Sequence, residues 1–234
     1  MPTQQAKVPA QNGISKVKCV DMFDSIDDSI AAFARGEFLV VLDSADRENE
    51  GDLVIAAEDL TTEKMAWMVK VKHTSGLIVA PMSAPLLEHL ALPQMVTDNQ
   101  ESHCTAFTIS CDYAYNTTTG ISAHDRALTC RKLADPLATA ADFRRPGHMF
   151  PLRAVEGGVT ARPGHTEAGV DFCKLAGKRE VSAICELVRP DDRLMMRRDE
   201  CVAFARTWGL KVCTIEALVE YLRKEKSAGG VEVE

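Results

Sequence analysis

Phe38-Leu-Val-Val-Leu-Asp-Ser-Ala-Asp-Arg-Glu-Asn-Glu-Gly-Asp-Leu-Val-Ile-Ala-Ala57 decides how this chain is read. Phe38 to Leu42 and Leu53 to Ala57 are short, continuous apolar runs rich in β-branched residues, the pattern of strands buried on both faces. Between them, five acids and one arginine occupy the ten positions from Asp43 to Asp52, with Gly51 allowing a tight bend. Carboxylates crowded in this way repel one another unless water or a cation separates them. Either this is a solvated acidic turn, or Glu48, Glu50 and Asp52 share a pocket that draws in a divalent metal, with oxygen donors suited to Mg²⁺ or Mn²⁺.

Working outward, helical and strand-like periods alternate. Asp24 to Arg35 puts Ile26, Ile30 and Phe33 on one face and ends at Gly36, which predicts a helix. Further helices are expected at Thr62 to Lys72, Ala84 to Leu90, Ser122 to Leu133, Glu167 to Ala176, Glu200 to Trp208 and Ile215 to Lys226. Ser122-Ala-His-Asp has the spacing of a capping box. Strands are expected at Gly76 to Ala80, Thr105 to Ser110, Phe150 to Val155, Ala183 to Val188 and Lys211 to Thr214. No linker interrupts the alternation. The expected fold class is therefore α/β, a mixed sheet with surrounding helices in a single domain over residues 19–226, between polar tails at 1–18 and 227–234.

Composition narrows the function. With 46% hydrophobic and 26% charged residues among 234, the chain is long and apolar enough to bury a core without disulfides. It has no apolar run of spanning length and no apolar signal core near Met1, so no membrane is expected. A net charge of −7 without a long basic run argues against nucleic acid. The eight cysteines lie scattered through apolar segments and never as Cys-x-x-Cys; they read as buried, reduced thiols of a cytoplasmic protein. Dinucleotide, P-loop, nucleophile-elbow and zincin motifs are missing.

Two further signals carry chemistry. Arg145-Pro146-Gly147-His148 is repeated as Arg162-Pro163-Gly164-His165. These are either similar turns flanking a hairpin, or sites that present a histidine beside an arginine. After the second copy, Thr166-Glu-Ala-Gly resembles a helix start, whose amides with Arg162 and the Thr166 hydroxyl would seat a phosphate. Glu186 interrupts the apolar run Ala183 to Val188, where an acid is costly unless paired or chemically used. His73, His89 and His103 fall outside these motifs and read as surface or structural.

With these residues in hand, the chain resembles the 3,4-dihydroxy-2-butanone 4-phosphate synthases of riboflavin biosynthesis. The likeness rests on Asp46-Arg-Glu-Asn-Glu-Gly-Asp-Leu53, Thr105-Ala-Phe-Thr108, Thr119-Gly-Ile-Ser-Ala-His-Asp-Arg-Ala127, both Arg-Pro-Gly-His copies and the Glu186 strand. Ser44 and Ala45 stand where many members carry acids. The length implies the form without a fused GTP cyclohydrolase II domain.

The resemblance implies a lyase that converts ribulose 5-phosphate to the four-carbon product and formate through an enediol. It implies Mg²⁺ or Mn²⁺, two ions per site, held by Glu48 and His165. Substrate would be held by Arg47, Glu48, Asp52, Glu186 and the loop Arg162, Pro163, Gly164, His165 and Thr166. His148 and Glu186 would carry protons, and the chain would work as a homodimer with sites near the subunit interface. Two other readings remain: a different metal-dependent sugar-phosphate lyase or isomerase, and a non-catalytic sugar-phosphate sensor.

Overall fold

In the computed structural model, residues 22–70, 74–192 and 194–228 are described. The expected N-terminal tail, most of the C-terminal one, Cys19 and His73 lie outside them. Helix α1, Ile26–Ala34, starts where Ser25 Oγ accepts the Asp28 amide at 3.0 Å, with Asp27 and Asp28 on its positive end. It buries Ile26 and Phe33. Strands β1 (Leu39–Leu42) and β2 (Gly51–Ala56) then pair antiparallel, Leu42 opposite Gly51. The acidic run is thus the connection of a hairpin.

The remaining elements are α2 (Thr62–Lys70), β3 (Val79–Met82), α3 (Ala84–His89), β4 (Cys111–Tyr113), α4 (Ala123–Leu133), β5 (Phe143–Arg153), α5 (His165–Leu175), β6 (Ser182–Glu186), α6 (Arg198–Trp208), β7 (Lys211–Thr214) and α7 (Ile215–Ala228). The strands form one seven-stranded mixed sheet in the order β4-β5-β3-β6-β2-β1-β7. Leu53, Ile55, Ala183 and Cys185 face a core shared with Met65 and Met68 of α2, Cys130 of α4 and Phe204 of α6. Val54, Ala56 and Ile184 face a second core with Phe33 of α1, Ala168 and Phe172 of α5 and Leu218 of α7. Helices on both faces of a mixed sheet are the architecture expected from the alternation.

Three boundaries differ in ways that matter. Thr105 to Ser110 is not a strand of the sheet. It makes isolated bridges, Phe107 to Leu152 and Thr108 to Gln94, and the ladder on β5 begins only at Cys111. Its neighbour β5 contains Pro146 and Pro151, which have no N–H to give to a ladder. Second, β5 begins at Phe143 rather than Phe150, so the first Arg-Pro-Gly-His copy lies inside a strand and not in a turn. Third, α5 begins at His165 rather than Glu167, with extended Gly164 as its N-cap. At the other end of the chain, α7 runs on to Ala228, two residues into the expected tail.

Gly147 holds the edge of the sheet together by having no side chain. A Cβ there would lie 2.1 Å from the Cys111 carbonyl carbon and 2.3 Å from the Asp112 nitrogen, both backbone atoms. Gly147→Ala should therefore destabilise the protein by about 2 kcal/mol, lowering Tm by roughly 4–8 °C. An unchanged melting temperature would show that β4 can move aside without penalty.

Candidate active site

The hairpin connection is organised by its first residue. Asp43 is buried; its Oδ1 accepts the Glu50 amide at 2.8 Å, while Oδ2 accepts the Glu48 amide at 3.0 Å and Arg47 Nη1 at 2.9 Å. From the outside, Arg197 Nη1 donates to the carbonyls of Glu48 at 2.9 Å and Asn49 at 2.6 Å. Backbone and guanidinium are thereby fixed, and Arg47 Nη1 also reaches Glu48 Oε2 at 2.5 Å. Asp43 is a site member that the sequence concealed among its acidic neighbours.

The sheet supplies the next two acids. Antiparallel register sets Asp52 of β2 directly opposite Glu186 of β6. Two-residue periodicity puts both on the face of Val54 and Ile184, under α5. Ser75 Oγ donates to Glu186 Oε2 at 2.5 Å. Asp52 is 3% exposed and its Oδ1 has no hydrogen-bond partner. Burial pushes its pKa up, against the pull of His165, and the charges of Glu186, Glu48 and Glu50 add to the rise. Glu50 is raised in the same way, by burial and then by Glu48.

His165 closes the cluster from the first turn of α5. Its Nε2 lies 3.1 Å from the Val41 carbonyl oxygen, which can only accept, so Nε2 carries a hydrogen and Nδ1 faces the acids. Nδ1 is 3.6 Å from Glu48 Oε2 and 3.9 Å from Asp52 Oδ1. Burial alone would lower the imidazole pKa, but the charges of Asp52, Glu48 and Asp43 override it and raise it. Reciprocally, the His165 contact holds the Glu48 carboxyl at about 2, helped by Arg47 against the cost of burial.

Ligating atoms of Asp43, Glu48 and His165 all lie within 4.8 Å of one another. Asp43 spends its oxygens on two amides and Arg47, which leaves Glu48 and His165 Nδ1 as the available donors. With the unpartnered Asp52 oxygen beside them, this hard, negatively charged donor set fits Mg²⁺ or Mn²⁺.

Glu48, Asp52 and His165 line one cavity of about 130 Å³, with Asp43 behind them. Arg47, Glu48, Glu50, Asp52, His165, Thr166 and Glu186 make its polar side, and Val79, Phe107, Leu152 and Ile184 its apolar wall. Of the residues expected at the site, Arg162, Pro163 and Gly164 do not line it. Arg162 stands behind the wall, where Nη1 bonds Glu167 Oε2 at 2.6 Å and Nη2 bonds the His103 carbonyl at 3.0 Å and Thr105 Oγ1 at 3.2 Å. No local sequence signal marks Glu167 or Thr105 as its partners; the contact with Thr105 spans 57 positions.

His148 is also outside the cavity. It lies four residues from Leu152 along β5, about 13 Å for an extended chain. There Asp112 holds it, Oδ1 accepting the His148 amide at 2.8 Å and Oδ2 lying 2.7 Å from Nδ1. Gly120, at φ +92°, packs so closely that a Cβ would come within 2.4 Å of His148 Nδ1. Nδ1 is thus committed to Asp112 and Nε2 is presented outward. Asp112 carries no local sequence signal, because its strand β4 starts at Cys111, beyond the apolar run Thr105 to Ser110. The other histidines divide: His89 Nε2 bonds the Ala138 carbonyl at 3.0 Å as a structural residue, whereas His103, expected to be surface or structural, lies 3.8 Å from Glu48 Oε1.

The geometry has close counterparts. A family model described as 3,4-dihydroxy-2-butanone 4-phosphate synthase matches residues 27–221. The protein of that name from Pyricularia oryzae is 57% identical over 221 residues, covering 90% of this chain and 93% of that protein. The one from Saccharomyces cerevisiae is 49% identical over 210 residues, covering 87% and 100%. A crystal structure of 3,4-dihydroxy-2-butanone 4-phosphate synthase in complex with two magnesium ions superposes with a TM-score of 0.84 at 58% identity, covering 87% of this chain and 99% of that one. A cation-free form gives 0.82 at 56% identity, with coverage of 87% and 99%. Sequence likeness across nearly the whole chain and likeness of fold lead to one assignment: the chain belongs to the 3,4-dihydroxy-2-butanone 4-phosphate synthase family of riboflavin biosynthesis.

Proposed function

We propose that the chain converts ribulose 5-phosphate to 3,4-dihydroxy-2-butanone 4-phosphate and formate. The observation that carries this reading is the meeting of Glu48 and His165 Nδ1, one ionised carboxylate and one imidazole nitrogen, beside the opposed pair Asp52 and Glu186. Bound there, Mg²⁺ or Mn²⁺, two ions as in the magnesium-bound relative, supplies a Lewis acid that stabilises negative charge on neighbouring sugar oxygens. The residues do the rest. The phosphate sits at the N-terminus of α5, where the first-turn amides and the Thr166 hydroxyl are the donors, and Arg162 braces the seat from behind. Arg47, Asp52 and Glu186 hold the sugar. The proton at C3 is removed, water leaves from C1, the skeleton rearranges and C4 departs as formate. Product and formate together carry every atom of the substrate, so the water lost at C1 is matched by one taken up later. Proton carriers must act in both directions, and Glu186 and His148 are assigned to this work.

His148 reaches a cavity only if two chains combine, so the working form is a homodimer in which each cavity receives His148 of the partner subunit. Two features support this. A cavity of about 130 Å³ is smaller than the few hundred Å³ usual for a small-molecule site, so a single chain leaves walls to be added. Ile121, next to the Gly120 that packs on His148, is 52% exposed. We also place the protein in the cytoplasm. Its seven described cysteines are free, six of them buried; only Cys104 departs from the expected burial. Among the described residues, no helix is long and apolar enough to cross a membrane.

Incubation with ribulose 5-phosphate and Mg²⁺ should yield formate and the four-carbon phosphate in equal amounts, and excess EDTA should stop both. Full activity in EDTA would remove the metal from the mechanism. An isomerised pentulose phosphate without formate would instead favour a different metal-dependent sugar-phosphate enzyme.

A further inference from the structure

His103 stands apart from the other imidazoles: its backbone is locked on both sides while its ring makes no hydrogen bond among the described residues. Glu101 folds the segment around itself, Oε1 accepting the His103 amide at 3.0 Å and Oε2 the Thr105 amide at 2.7 Å. These contacts, working against the cost of burial, hold the Glu101 carboxyl at about 2. Asn99 Nδ2 donates to the Thr105 carbonyl at 2.9 Å. From the body of the protein, Arg162 Nη2 grips the His103 carbonyl at 3.0 Å, and Arg162 is itself anchored on buried Glu167. Cys104 is held at φ +53°, a left-handed conformation unfavourable for a residue with a Cβ that persists only where the surroundings over-determine it. So much constraint on an exposed loop points to a side chain that must be presented in one place. That side chain is the His103 ring, two residues before Thr105 of the cavity lining, with Nε2 3.8 Å from Glu48 Oε1, itself a lining residue.

We propose that His103 is a further substrate-contacting residue, hydrogen-bonding a hydroxyl of the phosphorylated polyhydroxy ketone at the mouth of the cavity. The inference rests on the activity proposed above and deepens it. Either ring nitrogen can serve, because a hydroxyl both donates and accepts. The contact is made by a loop that Arg162 ties to the segment just before α5, so it gives the sugar a further point of orientation beyond its phosphate and metal-facing oxygens.

The test is titration of ribulose 5-phosphate and, separately, of Mn²⁺ into the wild type and the variants His103→Ala and His103→Gln, alongside steady-state kinetics. His103→Ala should weaken sugar-phosphate binding and raise KM by about tenfold, the worth of one hydrogen bond at a charged site, with a smaller fall in kcat. Mn²⁺ affinity should stay within twofold, and His103→Gln should recover most of the loss. Substrate affinity within twofold of wild type in His103→Ala would overturn the proposal. So would Mn²⁺ affinity falling in step with substrate affinity, because His103 would then act on the metal site. A wild type that binds ribulose 5-phosphate without releasing formate would refute the proposed reaction, and the binding contrast at His103 would still be read.

Discussion

Glu48→Gln should leave a folded protein with metal affinity reduced at least about 100-fold and turnover reduced on the order of 10³-fold or more. Glutamine keeps the shape and one carbonyl oxygen for Arg47, and Asp43 still fixes the loop through the amides of residues 48 and 50. The charge is what goes. Glu48 is ionised across the working pH range because His165 and Arg47 hold its pKa near 2, so its whole negative charge is available to a divalent ion. Once that charge is gone, the Arg47 guanidinium faces the ion with less to offset its repulsion, and the His165 nitrogen is left without its anionic partner. Mn²⁺ titration followed by electron paramagnetic resonance, together with a formate assay, checks both effects. A variant with a tenth of wild-type turnover would show that the metal is held elsewhere.

His148→Ala should lose turnover by about 10²–10⁴-fold, the size of a general acid–base contribution, while Mn²⁺ affinity stays within twofold. The separation from Glu48→Gln follows from position, since His148 is bonded to Asp112 on β5 and absent from the cavity lining. The proposed homodimer adds a sharper expectation. When the two variant chains are co-expressed, each mixed dimer has one doubly defective site and one with both Glu48 and His148. Random pairing should then restore about a quarter of wild-type activity, because half the dimers are mixed and half their sites intact. No recovery in mixed dimers would mean that His148 acts within its own chain. Equal loss of metal affinity in both variants would end the division of roles between the two Arg-Pro-Gly-His copies.

That division shows where the sequence stops. Both copies read alike, and only their flanks hinted at different uses: an apolar run after His148, a helix start after His165. Their fates were set by neighbours far along the chain. Asp112 claims Nδ1 of the first from 36 positions away, and the Val41 carbonyl claims Nε2 of the second from 124. Asp52 is a similar case. It was legible as part of an acidic run, but its place opposite Glu186, and the burial that raises its pKa, come from pairing β2 with β6.

By itself the sequence determined the kinds of element, because apolar periodicity and caps are local: β7 at Lys211–Thr214 matches the expected run, and α4 starts behind Ser122. It also determined the chemistry on offer, since the acidic hairpin, the turn proposed to seat the phosphate and the half-buried Glu186 in its apolar strand are matters of residue type. Only the tertiary structure decided which polar groups meet. It gave Arg162 to Glu167 and the His103 loop, brought His103 to Glu48, and made Asp43 the organiser of its own loop. The reason is physical. A hydrogen bond or charge interaction acts over a few ångströms and its strength depends on burial, and both distance and burial between residues far apart in the chain exist only once the sheet has assembled and the helices have covered it.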